Sequence, residues 1–416
     1  MKKRKMSPRH YKEEMYDTKR AVLSYEQLPL EEYDQNAGDK DKDSKKSLSY
    51  KKIILAFMVI VLLVAIVFVV FNRFSCAGCS SYNLSSANFP VSLKGSLVSN
   101  GNFDTYNGGF AYVSDTHYVV YNNNGEEVFT SQVSFNNPVL KLNHNASSVI
   151  YDLGGYKYSL YSDEKLIYTG KTESKMYLAD VTADLKFATV TESHDYKAKL
   201  SVYSTIDNPV YGYSFEEYYI TAMALNNDAT GAIACGITAE NGIEKSVVYV
   251  FDFTEEKPLA FHEISSDVVF DCEYLSDGSA CVIGENASYI INGKNFSKLT
   301  KNSYSQMTLT AYDVNTDTGE LSLSLSRSGD GRNCTIQCIN KSGSVDSKIE
   351  TEYAADFISS YKNRVAVCDK SNLYLYSQNG ERIKTLKVSP DSRQIRLVSP
   401  DASVVLGLKD ISLYNF

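Results

Sequence analysis

Carboxylates recur along this chain beside one kind of short polar stretch: Asp115, Asp152, Glu192 with Asp195, Glu240 with Glu244, Glu285, Asp330, Asp369 and Asp410. Gathered on one surface they would form an acidic rim, suited to a cation or to a basic peptide. Asp and Glu also suit exposed turns without any ligand, and solvated turns are the first reading. The longest of these stretches, "TESHDYKAK", "TAENGIEKS" and "SRSGDGRNC", are the first places to look for a binding surface.

Other chemistry is sparse. His10, His117, His144, His194 and His262 are scattered, and none has a Cys or His partner at metal-ligand spacing. No G-x-S-x-G elbow marks a nucleophile. The residues therefore predict no catalytic set, no metal and no cofactor, with one rival reading: His117 or His194 meeting carboxylates in a deep pocket, as in a hydrolase or lyase. Tryptophan is absent, which counts against WD-type repeats and quinone-dependent dehydrogenases.

Eight cysteines divide by context. Cys76 and Cys79 form a C-x-x-C that an oxidising compartment would close as a local disulfide. "CAGC" also echoes a lipoprotein cleavage site, but Cys76 stands where a branched apolar residue is preferred. Cys272 and Cys281 flank the turn "LSDG" and are expected to face each other across two strands, as buried small hydrophobes rather than as a bridge. Cys235, Cys334, Cys338 and Cys368 sit in apolar runs and read as core.

The elements that must position these residues follow from a repeated phrase. A turn with Asp, Asn or Gly leads into a compact apolar strand in "NGGFAYVSD" (107–115), "HNASSVIYD" (144–152), "TADLKFATVTE" (182–192), "NNDATGAIACG" (226–236), "SDGSACVIGE" (276–285), "TDTGELSLSLS" (316–326), "YKNRVAVCD" (361–369) and "SPDASVVLGL" (399–408). Eight copies at a period near 40 residues are the signature of β-propeller blades. A second strand follows each copy and usually ends in an aromatic, at Tyr121, Tyr161, Tyr203, Phe251, Tyr376 and Tyr414, with Ile in the two exceptions. Each unit thus reads as strands a, b, c and d. The b strands show little polar alternation, as expected for strands covered on both faces.

The fold class expected is all-β: a propeller of eight four-stranded blades, with seven as the alternative count. The last unit stops at Phe416 after strand c. "FPVSLKGSLV", residues 89–98, is an orphan strand whose pairing with the C-terminal three would close the ring and remove an exposed edge.

Ahead of the propeller, Ile53–Phe71 is an uncharged, strongly apolar run long enough to cross a bilayer as a helix. Lys45, Lys46, Lys51 and Lys52 precede it and only Arg73 follows closely, so residues 1–52 are expected in the cytoplasm and the rest outside, the run acting as a signal anchor. The organisation is a disordered tail (1–52), a transmembrane helix (53–71), a Ser- and Asn-rich tether (72–88) and the propeller (89–416). The tail holds 14 of the 42 basic and 10 of the 50 acidic residues, leaving 28 and 40 and a net charge of −12 for the remainder. That balance argues against nucleic acid as a partner.

This layout, with the span ending near "VVFNRF" and a Tyr-rich, Trp-free propeller behind it, resembles an uncharacterised family of membrane-anchored bacterial proteins, domain of unknown function 5711, known mainly from Gram-positive species. The resemblance implies a cell-surface propeller and carries over no functional residues. The expected function is a non-enzymatic binding or scaffolding module for a protein, peptide or glycan at the cell surface. The alternatives are an extracellular hydrolase or lyase and a sensor signalling to the cytoplasmic tail.

Overall fold

Each repeat folds into one four-stranded antiparallel sheet, and eight such sheets succeed one another along the chain, so the blade count is eight. The computed structural model describes residues 88–416 apart from 144–146, 207, 317 and 328–331. The apolar run 53–71, the tail before it, Cys76, Cys79 and Asp330 lie outside the described residues. Among the described residues no helix is long and apolar enough to cross a membrane.

The innermost strands of blades 1 to 8 are Phe103–Tyr106, Pro138–Asn143, Met176–Val181, Tyr219–Leu225, Val269–Tyr274, Thr308–Asn315, Phe357–Tyr361 and Gln394–Ser399. Each is followed by its b, c and d strands in spatial order, and blade 8 takes its outer strand from the start of the domain. Val91 pairs with Ile411 and Ser92 with Asp410. This closing strand is only Val91–Ser92, shorter than the 89–98 expected. Beyond Leu93 the chain leaves the ladder because blade 1 takes hold of it: Lys94 N–H donates to the Tyr112 hydroxyl (2.8 Å) and Ser96 N–H to Asp115 Oδ1 (2.8 Å).

Packing explains the apolar b strands. Successive residues of a strand point to opposite faces, and in a blade both faces meet a neighbouring blade. In blade 4, Ala232 and Ala234 join the apolar cluster shared with blade 3, whereas Ile233 and Cys235 join the one shared with blade 5. Eight apolar clusters fill the eight seams of the ring, one per seam. The aromatic near the end of strand c lies opposite the first or second residue of strand b. Phe110 pairs with Tyr121 and stacks on it at 4.9 Å, and Phe187 does the same with Tyr203 at 4.6 Å. Tyr and Phe thus supply the bulk that tryptophan would otherwise bring.

Two local expectations are corrected. Cys272 and Cys281 do not face each other: the register sets Cys272 opposite Val282 and Glu273 opposite Cys281, which sends the two thiols to opposite faces of blade 5. Both are buried and free. The stretch "TAENGIEKS" is not a loop. Gly231–Glu240 and Ile243–Asp252 pair along their whole length down to Glu240 opposite Ile243. Asn241 (φ 53°) and Gly242 (φ 78°) make the left-handed two-residue turn for which Asn-Gly is the strongest signal.

Phe187 is fully buried in the seam between blades 2 and 3. Phe187→Ala should lower unfolding free energy by about 3–5 kcal/mol through lost burial and the cavity left behind. Ile383→Ala, at an exposed position on an outer strand, should change it by no more than about 0.5 kcal/mol. Urea denaturation of the two variants checks the contrast, and equal losses would refute this account of the seams.

Candidate functional site: the central channel and its upper mouth

The innermost strand of each blade has a neighbour on one side only, and its other side faces the axis of the ring. All eight contribute to a central channel of about 1210 Å³. Its lining carries charge: Asp104, Asp180, Asp271, Glu273 and Asp313 face Lys141 and Arg396, and with Asp115, Asp356 and Arg393 on the adjoining loops and links the balance is seven acids to three bases. Lys141 of blade 2 reaches across the ring to Glu273 of blade 5, Nζ to Oε1 3.5 Å. Arg396 of blade 8 donates from Nε to Asp104 Oδ1 of blade 1 (2.8 Å) and lies 3.8 Å from Asp313 of blade 6.

Three of these aspartates, with several neutral polar residues, fasten the seams. Asp180 Oδ2 accepts from Leu225 N–H (2.8 Å), Asp271 Oδ2 from the Tyr312 hydroxyl (2.8 Å), and Asp313 Oδ2 from Ser360 N–H (2.6 Å), each on the next blade. Asn102 Oδ1 accepts from Leu140 N–H (2.9 Å), and the Thr221 hydroxyl donates to Val269 O (2.9 Å). Leu397 N–H donates to Ser359 Oγ (3.0 Å), Gln394 Nε2 to Phe103 O (2.9 Å), and the Ser147 hydroxyl to Thr182 O (2.8 Å). Every seam has at least one such hook.

The loop carboxylates do not converge. Among those in the described residues, Asp115 alone borders the channel, and it is occupied: Oδ1 accepts from Ser96 N–H, Oδ2 from the Ser96 hydroxyl, and these bonds hold its pKa below the usual carboxylate range. Asp152 is buried and accepts from Asn136 and Asn137 N–H (3.0 and 2.8 Å). Asp369 accepts from Ser371 and Asn372 N–H and from the Tyr374 hydroxyl. Glu240 pairs with Lys245 and Asp195 with His194, both at the surface. Glu192, Glu244 and Glu285 are exposed and Asp410 is half-buried. His117 bonds Thr116 and His262 bonds Phe296 O, and neither they nor His194 border the channel.

Residues 85–406 match the family described as "Family of unknown function (DUF5711)". The chain belongs to this family. No curated protein matches it in sequence. Among solved structures it is similar to the β-propeller domain of Myceliophteria thermophila Cps50 (Swd1), at 11% identity over 79% of this chain and 100% of that one, TM-score 0.50. The Dos1 propeller is similar at 11% identity over 68% and 80%, TM-score 0.51. Chaetomium thermophilum Sqt1, bound to the N-terminus of the ribosomal protein L10, is similar at 10% identity over 76% and 96%, TM-score 0.51. At these identities the likeness concerns the fold.

The two faces of this DUF5711 ring differ. The upper face bears the b-to-c loops and the links from d to the next a; the lower face bears the a-to-b and c-to-d turns. Fifteen large apolar side chains are exposed among the described residues, and seven of them lie on outer strands. The other eight, Leu97, Leu153, Tyr156, Tyr196, Tyr219, Ile243, Phe270 and Leu408, are all on the upper face, so none is left for the lower one. Leu97, Leu153 and Phe270 also border the channel and form its upper mouth. The chain joins the ring on the lower side: Asn88 Nδ2 donates to Asn124 O (2.7 Å), and Phe89 packs over Gly125, in the c-to-d turn of blade 1.

Within the channel, burial raises the Glu273 carboxyl from its ordinary 4.5 to about 7, against the pull of Lys141 and with help from Asp271 and Asp180. Burial likewise raises Asp180 and Asp313, while Glu273 holds Lys141 well above the ordinary lysine value. The ring encloses the Lys141–Glu273 pair, yet 35% and 32% of the two side chains face channel water, which screens them. Between pH 4.5 and 7 the native carboxyl keeps a proton that the unfolded chain has lost, so stability falls as pH rises through that window. Glu273→Gln should therefore gain about 1 kcal/mol on wild type at pH 8 and nothing at pH 4, after allowing for screening. Denaturant titrations of both proteins at the two pH values test this; a gain that does not depend on pH would refute it.

Proposed function

We propose that the chain is a membrane-anchored, extracellular, non-enzymatic binding or scaffolding module whose ligand is a cell-surface protein, peptide or glycan, held on the upper face. The observation that carries the reading is the segregation of exposed apolar side chains: off the outer strands they occupy one face only, around a polar channel mouth. Exposed apolar groups gathered on one surface and rimmed by polar ones mark interaction sites. Topology supports it, since residue 88 meets the ring on the lower side, opposite the upper face.

Anchoring and an extracellular location rest on the apolar run Ile53–Phe71 and its flanking lysines. The net charge of −12 beyond residue 52 favours proteins over nucleic acid. A propeller of this fold, Sqt1, holds the N-terminus of another protein, which makes polypeptide a natural ligand class here. The hydrolase or lyase alternative asked for His117 or His194 beside carboxylates in a deep pocket, and neither borders the channel. Sensing remains compatible with the same face, with the tail as its output.

A photo-crosslinking residue placed at Leu153, Tyr196 or Ile243 on intact cells should capture partners, whereas the same residue at Asn340 or Asp228 on the lower face should not. Capture from the lower face alone would overturn the assignment. Protease added to intact cells should remove the propeller and leave the tail, and a protected propeller would overturn the topology.

A further inference from the structure

Resting on that reading of the upper face, we propose that its ligand is a polypeptide segment that seats a lysine or arginine side chain in the channel mouth, with an adjacent apolar side chain against Leu97, Leu153 and Phe270. Two features of the mouth meet at one place. The apolar rim is exposed, at 52% for Leu97, 44% for Leu153 and 39% for Phe270, and its three residues border the same channel. Directly inside it the acids outnumber the bases. Asp271 follows Phe270 along the innermost strand of blade 5, and Glu273 lies two residues deeper, about 7 Å at the rise of a strand.

The channel's own cations are already committed. Lys141 is turned to Glu273, and Arg396 lies between Asp104 and Asp313. Asp180 and Asp271 have hydrogen bonds but no ion pair among the described residues. A further acceptor stands at the upper end: Gln394, the first residue of the innermost strand of blade 8, borders the channel and is only 9% exposed, and its Oε1 has no hydrogen-bond partner among the described residues. A cation entering from the upper side would supply the missing charge, and one on a long apolar stem would satisfy the rim as well. A free inorganic cation has nothing to offer the rim. A neutral sugar can donate hydroxyl hydrogen bonds to the carboxylates but brings no charge to balance them.

The test pans a display library of random dodecapeptides against the full-length protein in detergent micelles. Synthetic copies of the enriched peptides are then measured by fluorescence anisotropy. Enriched sequences should carry Lys or Arg beside an apolar residue, and their binding should weaken at high salt. Affinity should fall about tenfold or more in Asp271→Asn/Glu273→Gln, the scale of one charge-assisted hydrogen bond, and comparably in Leu153→Ser/Phe270→Ser. Thermal melting verifies folding; should the channel double variant not fold, Asp180→Asn, which keeps a side-chain acceptor for Leu225, takes its place. Peptides that need the rim but carry no basic residue, or that tolerate the channel variant, would overturn this inference and leave the upper-face reading standing. Peptides indifferent to both variants would overturn both. A library with no enrichment overturns the inference, and the crosslinking pattern then decides the face.

Discussion

A four-stranded sheet that is apolar on both sides is stable only between two others like it, and that constraint organises the molecule. The b strand of blade 4 divides its residues between two seams, Ala232 and Ala234 to one and Ile233 and Cys235 to the other. A stack of such sheets has two raw ends until it closes. Here closure uses two residues, Val91 and Ser92, laid along Ile411 and Asp410. So short a strand suffices because apolar contact does much of the fastening: Val91, Val98, Phe103 and Phe110 of the first part of the domain share a cluster with Val404, Leu406 and Ile411 of the last.

Closing the ring creates a surface with different rules. Innermost strands face water on the axis, so polar and charged residues are admitted there, and they are used to fasten neighbouring blades at the radius where apolar packing is thinnest. Asp180, Asp271 and Asp313 each take a donor from the next blade. A carboxylate bound to a backbone N–H or hydroxyl contributes stability; one buried among like charges in an enclosed channel is costly and holds its proton longer, as Glu273 does beside Asp271 and Asp180 in spite of Lys141. Where the hook is an aspartate, the side chain that holds the seam also contributes to the charge on the axis.

Much of this was legible in the sequence because it is local. The b strands, the aromatic at the end of strand c and the missing eighth d strand are all patterns within one repeat or at the chain ends. What stayed hidden depends on contacts across repeats. "LKLN", "FDCEY", "AYDV" and "IRLV" look like ordinary alternating strands, and nothing near Lys141 indicates that Glu273, more than a hundred residues on, lies across the axis. A charged residue recurring inside strand a of several repeats was nonetheless a usable signal. The loop carboxylates share a position in the repeat but have local partners: Asp115 and Asp152 hold the links that lead into their own blades, and Asp369 holds its own loop. In blade 4 the Asn-Gly pair was the usable signal of a hairpin that the reading of "TAENGIEKS" as a long loop passed over, since a left-handed two-residue turn joins the strands closely.

The arrangement also separates what must stay fixed from what is free to change. Blade 4 carries its b and c strands ten residues each, against five each in blade 1, yet both end in the same cross-strand pairing near the lower face, Ala232 opposite Phe251 and Phe110 opposite Tyr121. Additional length therefore accumulates at the upper face and leaves the seams untouched. Because each blade is stabilised through its two neighbours, residues at the tips of the upper loops carry little of the folding energy, and their apolar side chains need an explanation other than the core. Ile243, 58% exposed at the tip of the longest hairpin, is the clearest instance. A solvent-facing isoleucine there contributes nothing to a seam, so the tip can vary at little cost to the ring.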